Sequence, residues 1–242
     1  MRLGWLIRVV SIVSLIALSG CHGQPELHTN KNEKQTLLTA ASRGDLPQVQ
    51  KLLRDGSDPN EHTAGGKTAL HFAAQSKNVS VVQALIQAGA NVNAEATGDV
   101  TPLMLSVDMA FSQPEISLAL IRAGADVNLA DVNGDTALII AATESSDEVF
   151  QTLLERGANP NARGLNGETA LHYVAMNGLL NRAKLLLDHG ADPTIRNSGG
   201  KTPYDEAVST NPERSVEAQF QEMRNLLSQA SQQKPKAATK SR

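Results

Sequence analysis

The sequence predicts an all-α protein, built as a solenoid of about six stacked helical repeats. Two short phrases recur along the chain at almost constant spacing and keep one register, which is the signature of a repeat architecture. Hydrophobic residues make up 40% of the chain but aromatic residues only 3%, which favours a core of small and aliphatic side chains. A single unit of this size cannot bury its apolar face alone, so neighbouring units must stack.

The first phrase begins with threonine and predicts the start of a helix. Its five threonines are separated by 33, 35, 33 and 33 residues. A threonine hydroxyl before a helix accepts hydrogen bonds from free backbone N–H groups, and Pro102 and Pro203 are tolerated because the first helical turn needs no such donor. The copies read TALHFAA (68–74), TPLMLSV (101–107), TALIIAA (136–142), TALHYVA (169–175) and TPYDEAV (202–208), and QTLLTAA (35–41) is a degenerate first copy.

The second phrase begins with glycine and predicts the end of a second helix, because a left-handed helix cap favours glycine. Its glycines show the same spacings as the threonines. Apolar residues precede them at helical spacing, as in Val81-Val82 with Leu85-Ile86, which predicts one buried face on each second helix. The copies read GSDPN (56–60), GANVN (89–93), GADVN (124–128), GANPN (157–161) and GADPT (190–194).

The two phrases together resemble the ankyrin repeat, and the resemblance covers residues 35–230. It implies a loop, two antiparallel helices and a hairpin-like finger in each repeat. Both end repeats are expected to be polar outside, and residues 213–230 are predicted to form a closing helix. The apolar face of that helix carries Val216, Phe220, Met223 and Leu227. The predicted repeats are 35–65, 66–98, 99–133, 134–166, 167–199 and 200–230, followed by a disordered basic tail at 231–242.

Residues 1–20 are organised like a secretory signal peptide. Basic residues come first, and the following apolar run from Val9 to Leu18 is too short for a bilayer, which needs about 20 residues. The sequence Leu18-Ser19-Gly20-Cys21 resembles the bacterial lipobox, which implies a lipid on the Cys21 thiol and hence a membrane anchor. An ordinary signal peptide with a chance cysteine is the alternative. The lipidated cysteine and a flexible polar tether then occupy residues 21–34.

The residue after the cysteine bears on the compartment. In lipoproteins of bacteria with two membranes, Asp at this place typically retains the protein in the inner membrane, whereas here the residue is His22. The resemblance therefore implies an outer-membrane lipoprotein that faces the periplasm and carries acyl chains such as palmitate. Because Cys21 is the single cysteine, no disulfide forms within the chain and its stability must rest on packing.

The formal net charge of −3 is an average over two basic ends and an acidic central body of the chain. Residues 1–20 and 231–242 hold six of the 22 bases and no acid, which leaves 16 bases against 25 acids, a formal charge of −9. Such a body repels phosphate backbones, so we do not expect nucleic acid as a partner. A protein partner with a basic surface fits better, although a diffuse charge that only aids solubility is the alternative.

The binding residues are expected where the repeats deviate from one another. In the family, the fingers and the first helices form the concave binding face, and the fingers here are Thr63–Lys67, Ala96–Val100, Asp131–Asp135, Gly164–Glu168 and Asn197–Lys201. The repeat starting at Thr101 is two residues longer than its neighbours, and Met109 and Phe111 lie in the extra length between its helices. Exposed aromatic residues often dominate interfaces; the alternative is that Phe111 folds back onto the helix ends.

An acidic centre on this face is predicted to receive basic residues of the partner, with ordinary solvated surface as the alternative. Its members are Asp108, Asp135, Glu144 and Glu168. The full set of predicted protein-binding residues is Arg43, Gln75, Asp108, Met109, Phe111, Asp135, Glu144, Glu168 and Met176.

Motifs for catalysis are incomplete. The two GGKT segments would need the first glycine of a phosphate-binding loop at Glu61 and Ile195, and DVNGD (131–135) lacks the final Glu of a calcium loop. The family resemblance makes His71 and His172 structural residues that bond to neighbouring loop backbone. We therefore expect no enzyme activity, no cofactor, no metal and no small-molecule substrate.

Three roles remain open at this point, all for a monomer. The first is an immunity or inhibitor protein that holds a toxic effector at the membrane. The second is an accessory factor that supports a periplasmic enzyme such as catalase in oxidative-stress defence, because some periplasmic ankyrin proteins are associated with that defence. The third is a structural scaffold of the envelope.

Overall fold

The computed structural model describes residues 36–107, 113–209 and 217–233. These residues contain twelve α-helices and fall into two compact units, which divide between Asp126 and Val127. The division lies inside the predicted repeat 99–133. None of the described helices is both long and apolar enough to cross a membrane.

The first unit contains three helical hairpins. Within each hairpin the two helices pack together, the first helices α1, α3 and α5 form one row, and the second helices α2, α4 and α6 form another. The helices are α1 Leu37–Arg43, α2 Leu46–Arg54, α3 Ala69–Gln75, α4 Val79–Gln87, α5 Pro102–Val107 and α6 Pro114–Arg122.

The second unit repeats this arrangement. Its first helices α7, α9 and α11 pack in one row, and the second helices α8, α10 and α12 pack in the other. The helices are α7 Ala137–Glu144, α8 Asp147–Glu155, α9 Ala170–Met176, α10 Leu180–Asp188, α11 Pro203–Ser209 and α12 Glu217–Gln233, with a short 3-10 turn at Leu165–Gly167. Phe150, Leu153 and Leu171 are fully buried between the rows, so the core is largely aliphatic, as the composition predicts.

The threonines of the first phrase cap the first helices, as predicted. The Thr101 and Thr136 hydroxyls accept hydrogen bonds from backbone N–H groups three residues later, at 3.3 and 3.4 Å. Thr68 and Thr169 form capping boxes, in which a histidine three residues later accepts the backbone N–H of the threonine. These caps satisfy donors that a helix leaves free at its start.

Five fingers precede the first helices and close in the same way. In each finger the backbone N–H of the first residue donates to the carbonyl oxygen of the fifth, over 2.8–3.0 Å. The fingers are Thr63–Lys67, Ala96–Val100, Asp131–Asp135, Gly164–Glu168 and Asn197–Lys201, the five segments predicted from the sequence. The second residue of each finger is called its tip below.

The asparagine that ends the second phrase links successive repeats. In the second unit, the Asn161 Oδ1 accepts the backbone N–H of Asp192 at 2.7 Å, and its Nδ2 donates to the Gly190 carbonyl at 3.0 Å. Asn128 bonds in the same way to Asn159 and Gly157. The side chain therefore replaces backbone partners that the turns of adjacent repeats would otherwise lack.

The end of the second unit agrees with the prediction in its closing helix but differs in its polarity. Helix α12 buries Phe220, Met223 and Leu227, as predicted, whereas Val216 lies outside the described residues. The helix continues to Gln233, so the prediction of disorder from residue 231 is wrong for its first three residues. The expected polar outer surface is also wrong for α11, because Tyr204 is 37% and Val208 51% exposed.

Candidate functional site

The structure places several predicted binding residues at the ends of first helices. Arg43 ends α1 and is exposed, and Gln75 ends α3 and is half-buried. In the second unit Glu144 ends α7, and Met176 ends α9 with a half-buried side chain. The predicted residues Asp108, Met109 and Phe111 lie outside the described part of the chain.

Asp135 does not belong to an exposed acidic centre, and that prediction is corrected. Its side chain is 4% exposed, and Oδ1 accepts the backbone N–H of Leu165 from the next finger at 3.1 Å. Burial raises the pKa of Asp135 to about 6, with smaller contributions from Asp131 and Glu168, against the lowering effect of the Leu165 N–H. A buried carboxylate that already has a partner is not free for a basic group of another protein. Of the other members of the predicted centre, Glu168 is half-buried, while Asp108 and the side chain of Glu144 lie outside the described part of the structure.

The exposed face of the second unit is more apolar than the sequence interpretation proposed. Val132, at the tip of the finger 131–135, is 63% exposed. Leu165, at the next tip, is half-buried, as are Ile140 and Tyr173, which occupy equivalent places in α7 and α9. The apolar character of these two tips could have been predicted from the sequence. The second residue of the finger is Val or Leu in these two fingers but Ala, Thr or Ser in the others.

The two histidines of the first helices are structural, as predicted. In α3, His71 is fully buried; Nδ1 accepts the Thr68 N–H at 3.1 Å, and Nε2 lies 3.0 Å from the Val100 carbonyl oxygen. His172 makes the equivalent contacts with Thr169 and the Lys201 carbonyl. Burial lowers the pKa of both imidazoles, so they remain neutral and join each helix to the following finger.

The sequence analysis did not single out Arg182, whose side chain makes several hydrogen bonds and an ion pair. It projects from α10 and is 12% exposed. Its guanidinium donates to the carbonyl oxygens of Ala141, Ala142 and Ser145 at the end of α7. It also pairs with Asp147 at 2.8 Å and lies over the Phe150 ring. Arg182 therefore donates to carbonyl oxygens at the end of α7, where a helix runs out of its own donors; the Ala141 oxygen also accepts the Ser145 N–H at 3.4 Å.

Within the described residues, no group of three or more His, Cys, Asp or Glu side chains is arranged to hold a metal ion. The polar clusters are structural instead. Asn197, for example, is 8% exposed and donates to Glu206 Oε1 at 3.1 Å, while Lys201 lies 3.5 Å from the other oxygen of that carboxylate.

Comparison with known families identifies the repeats. A model described as ankyrin repeats (3 copies) matches residues 11–96, 37–131 and 97–164, and one described as ankyrin repeats (many copies) matches 153–207. The chain belongs to the ankyrin repeat family. Ankyrin repeats are protein-interaction modules, so the exposed face of each ankyrin unit is a candidate surface for a protein partner.

Similar proteins include one from a bacterium. Protein PhlB of Serratia liquefaciens is 35% identical over 121 residues, which span 49% of this chain and 52% of PhlB. The human transient receptor potential cation channel subfamily A member 1 is 32% identical over 114 residues, but the match spans 10% of that channel. The curated relatives are thus matched over about half of their length or less.

One solved structure is similar over nearly its whole chain. It is the complex of a predatory endopeptidase from Bdellovibrio bacteriovorus with an immunity protein. The match has a TM-score of 0.66 and 29% sequence identity. It covers 81% of this chain and 97% of the matched chain in that structure.

Proposed function

We propose that this ankyrin protein is a lipid-anchored immunity or inhibitor protein of the cell envelope, which binds and restrains an enzyme able to damage the cell. The similarity to the endopeptidase–immunity protein complex carries this proposal. The ankyrin-type chain in that complex is the immunity protein, and the match extends over 97% of its length. A match confined to one or two repeats would support the fold alone.

The proposed contact surface lies on the second unit around the tips Val132 and Leu165. Val132 is 63% exposed, and an isolated apolar side chain on a rigid turn suits a pocket on a partner. Glu168 closes the finger that carries Leu165, and Met176 ends the helix that follows. The partner chemistry that fits is an apolar group with a basic residue beside it, since Glu168 supplies a carboxylate at the rim.

The proposed anchor is a lipid on Cys21, and the proposed location is the outer membrane, facing the periplasm. The lipobox-like sequence Leu18-Ser19-Gly20-Cys21 and the residue His22 support these points. The substitution Cys21→Ser is expected to move the protein from the membrane fraction to the soluble fraction. Retention of this variant in the membrane fraction would contradict the anchor and leave the binding proposal untouched.

The binding proposal is tested by capturing partners from periplasmic extract and then titrating the purified partner. Val132→Asp introduces a charge at the proposed hot spot and is expected to weaken binding at least about thirtyfold, since truncating a hot spot costs about 2 kcal/mol or more. Val208→Asp is the matched control, because Val208 is 51% exposed but lies on α11. The control should bind like the original protein and inhibit the partner's activity equally.

Two results would contradict the proposal. If a purified partner binds both variants with the same affinity, Val132 is not part of the contact surface. The absence of any saturable partner at micromolar concentration would overturn the immunity role itself.

A further inference from the structure

The last of the first helices leaves two apolar side chains uncovered. The 33-residue spacing of the repeats places Tyr204 and Val208 of α11 at the positions that Leu171 and Ala175 occupy in α9. Leu171 and Ala175 are fully buried, whereas Tyr204 is 37% and Val208 is 51% exposed. The two exposed residues are four positions apart in one helix and therefore share one face, which is called the end face below.

The exposure of the end face follows from the position of α11 in its row. Helix α9 packs between α7 and α11, whereas α11 ends the row and packs against α9 and α12. In the first unit, α3 lies between α1 and α5, and its residues Leu70 and Ala74, at the same repeat positions, are also fully buried. Other residues of α11, such as Pro203 and Ala207, are buried. The end face is therefore the side on which a further repeat would stack.

A second copy of the chain can supply the missing cover, because another first helix covers this face in the interior repeats. Two arrangements are available. If the end face met α1 of the second copy, it would meet a polar helix end, since Thr36, Ser42 and Arg43 are exposed there. That head-to-tail contact would also continue from copy to copy as a filament. If the end face met a second end face, apolar side chains would pack against apolar side chains, and the assembly would close at two copies.

The charged groups beside the end face also suit a contact between identical surfaces. Asp205, the residue after Tyr204, pairs with Arg196 at 3.7 Å. Lys201 lies 3.5 Å from the carboxylate of Glu206, whose side chain is 7% exposed. Both signs of charge are thus present and paired within one copy, so a two-fold contact brings together no unpaired like charges. A partner that binds by one strong charge finds no complement on this face.

We propose that the end face is a self-association surface, through which two copies of the protein form a symmetric dimer. Tyr204 and Val208 of each copy pack against the same residues of the other. Tyrosine suits this place because its ring is large and rigid, while its hydroxyl group can stay in contact with water. The dimer replaces the monomer expected from the sequence. The end face lies on α11 and not on the finger of Val132, so the inference does not rest on the proposed function.

The dimer should be weak in solution. A stable interface buries about 800 Å² on each partner, and two partly exposed side chains form only the centre of such an area. The dissociation constant is therefore expected on the order of 10–100 µM. Two chains held at one membrane by the proposed lipid on Cys21 would meet at a higher effective concentration, so a weak surface is sufficient there.

Sedimentation equilibrium of the full chain measures the association directly. The chain carries Cys21→Ser, so that neither a lipid nor the native thiol contributes. It should pass from monomer towards dimer between about 1 and 300 µM. Val208→Asp should raise the dissociation constant at least about tenfold, because it buries two carboxylates in one contact. Val132→Asp is the matched control, since it makes the same change at a 63% exposed site on a finger, and it should associate like the original chain.

A disulfide test distinguishes the symmetric contact from other associations. Val208→Cys, again with Cys21→Ser, should form a disulfide-linked dimer under mild oxidation, because a two-fold axis at the end face places the two introduced thiols near each other. Val132→Cys is the control and should form this link much more slowly. Equal rates for the two variants would contradict the symmetric contact.

Three results of the sedimentation experiment would overturn the dimer. They are a chain that stays monomeric up to about 300 µM, assemblies larger than a dimer, and an equal loss of association for Val208→Asp and Val132→Asp. None of these results concerns the partner, so each leaves the immunity role intact. Well below the dissociation constant the chain is a monomer, so Val208→Asp remains a valid control for partner binding.

Discussion

Replacing Arg182 with methionine should destabilise the second unit strongly although the residue touches neither finger tip. The guanidinium donates to three carbonyl oxygens at the end of α7 and thereby joins α10 to that helix. Methionine preserves most of the aliphatic volume and removes every donor. The change therefore isolates the hydrogen bonds from the packing.

The magnitude can be worked from the contacts. Each of the three hydrogen bonds to backbone contributes about 1 kcal/mol net. Arg182 also lies 5.1 Å from the centre of the Phe150 ring, a cation–π contact that contributes about 0.5–1 kcal/mol. The ion pair adds little, because Asp147 is 84% exposed. The free energy of unfolding should fall by about 3.5–4 kcal/mol.

Urea unfolding followed by far-ultraviolet circular dichroism measures this loss. Arg156→Met is the matched control, since Arg156 is exposed after α8, and it should change the free energy of unfolding by less than about 0.5 kcal/mol. A loss below about 1 kcal/mol for Arg182→Met, or an equal loss for the control, would refute the assignment of Arg182 as a link between the helices.

Three further predictions concern the same unit. Asn161→Ala should lower the free energy of unfolding in urea by about 2 kcal/mol, because it removes two bonds between repeats; a loss below 0.5 kcal/mol, within the scatter of surface changes, would contradict this. Gly134→Ala should cost at least about 1 kcal/mol more than Gly190→Ala, because both have positive φ, but a Cβ collides only at Gly134; equal losses would contradict the collision. Melting curves should show stability falling as the pH drops below 6.5, since burial lowers the pKa of His172 and a neutral histidine favours the folded state above that pH. His172→Gln should reduce this dependence, and an unchanged slope would exclude the histidine as its cause.

The sequence predicted the repeating parts of the fold well because they depend on local chemistry. Helices α3, α7 and α9 begin directly after the predicted capping threonines. The fingers close where their glycines and fixed spacing predicted, since a turn is decided within five residues. The closing helix was also predicted from its apolar period, although its end was placed three residues early.

The side-chain environment could not be predicted in the same way, because it depends on the neighbouring repeat. Asp135 carries the charge of a surface residue, but the finger that follows covers it and supplies its partner from Leu165. In the sequence, Arg182 resembles any other polar residue of a second helix. The carbonyl oxygens that accept its hydrogen bonds lie 37–41 residues earlier in the chain. Periodicity gives the register of such residues but not the identity of what covers them.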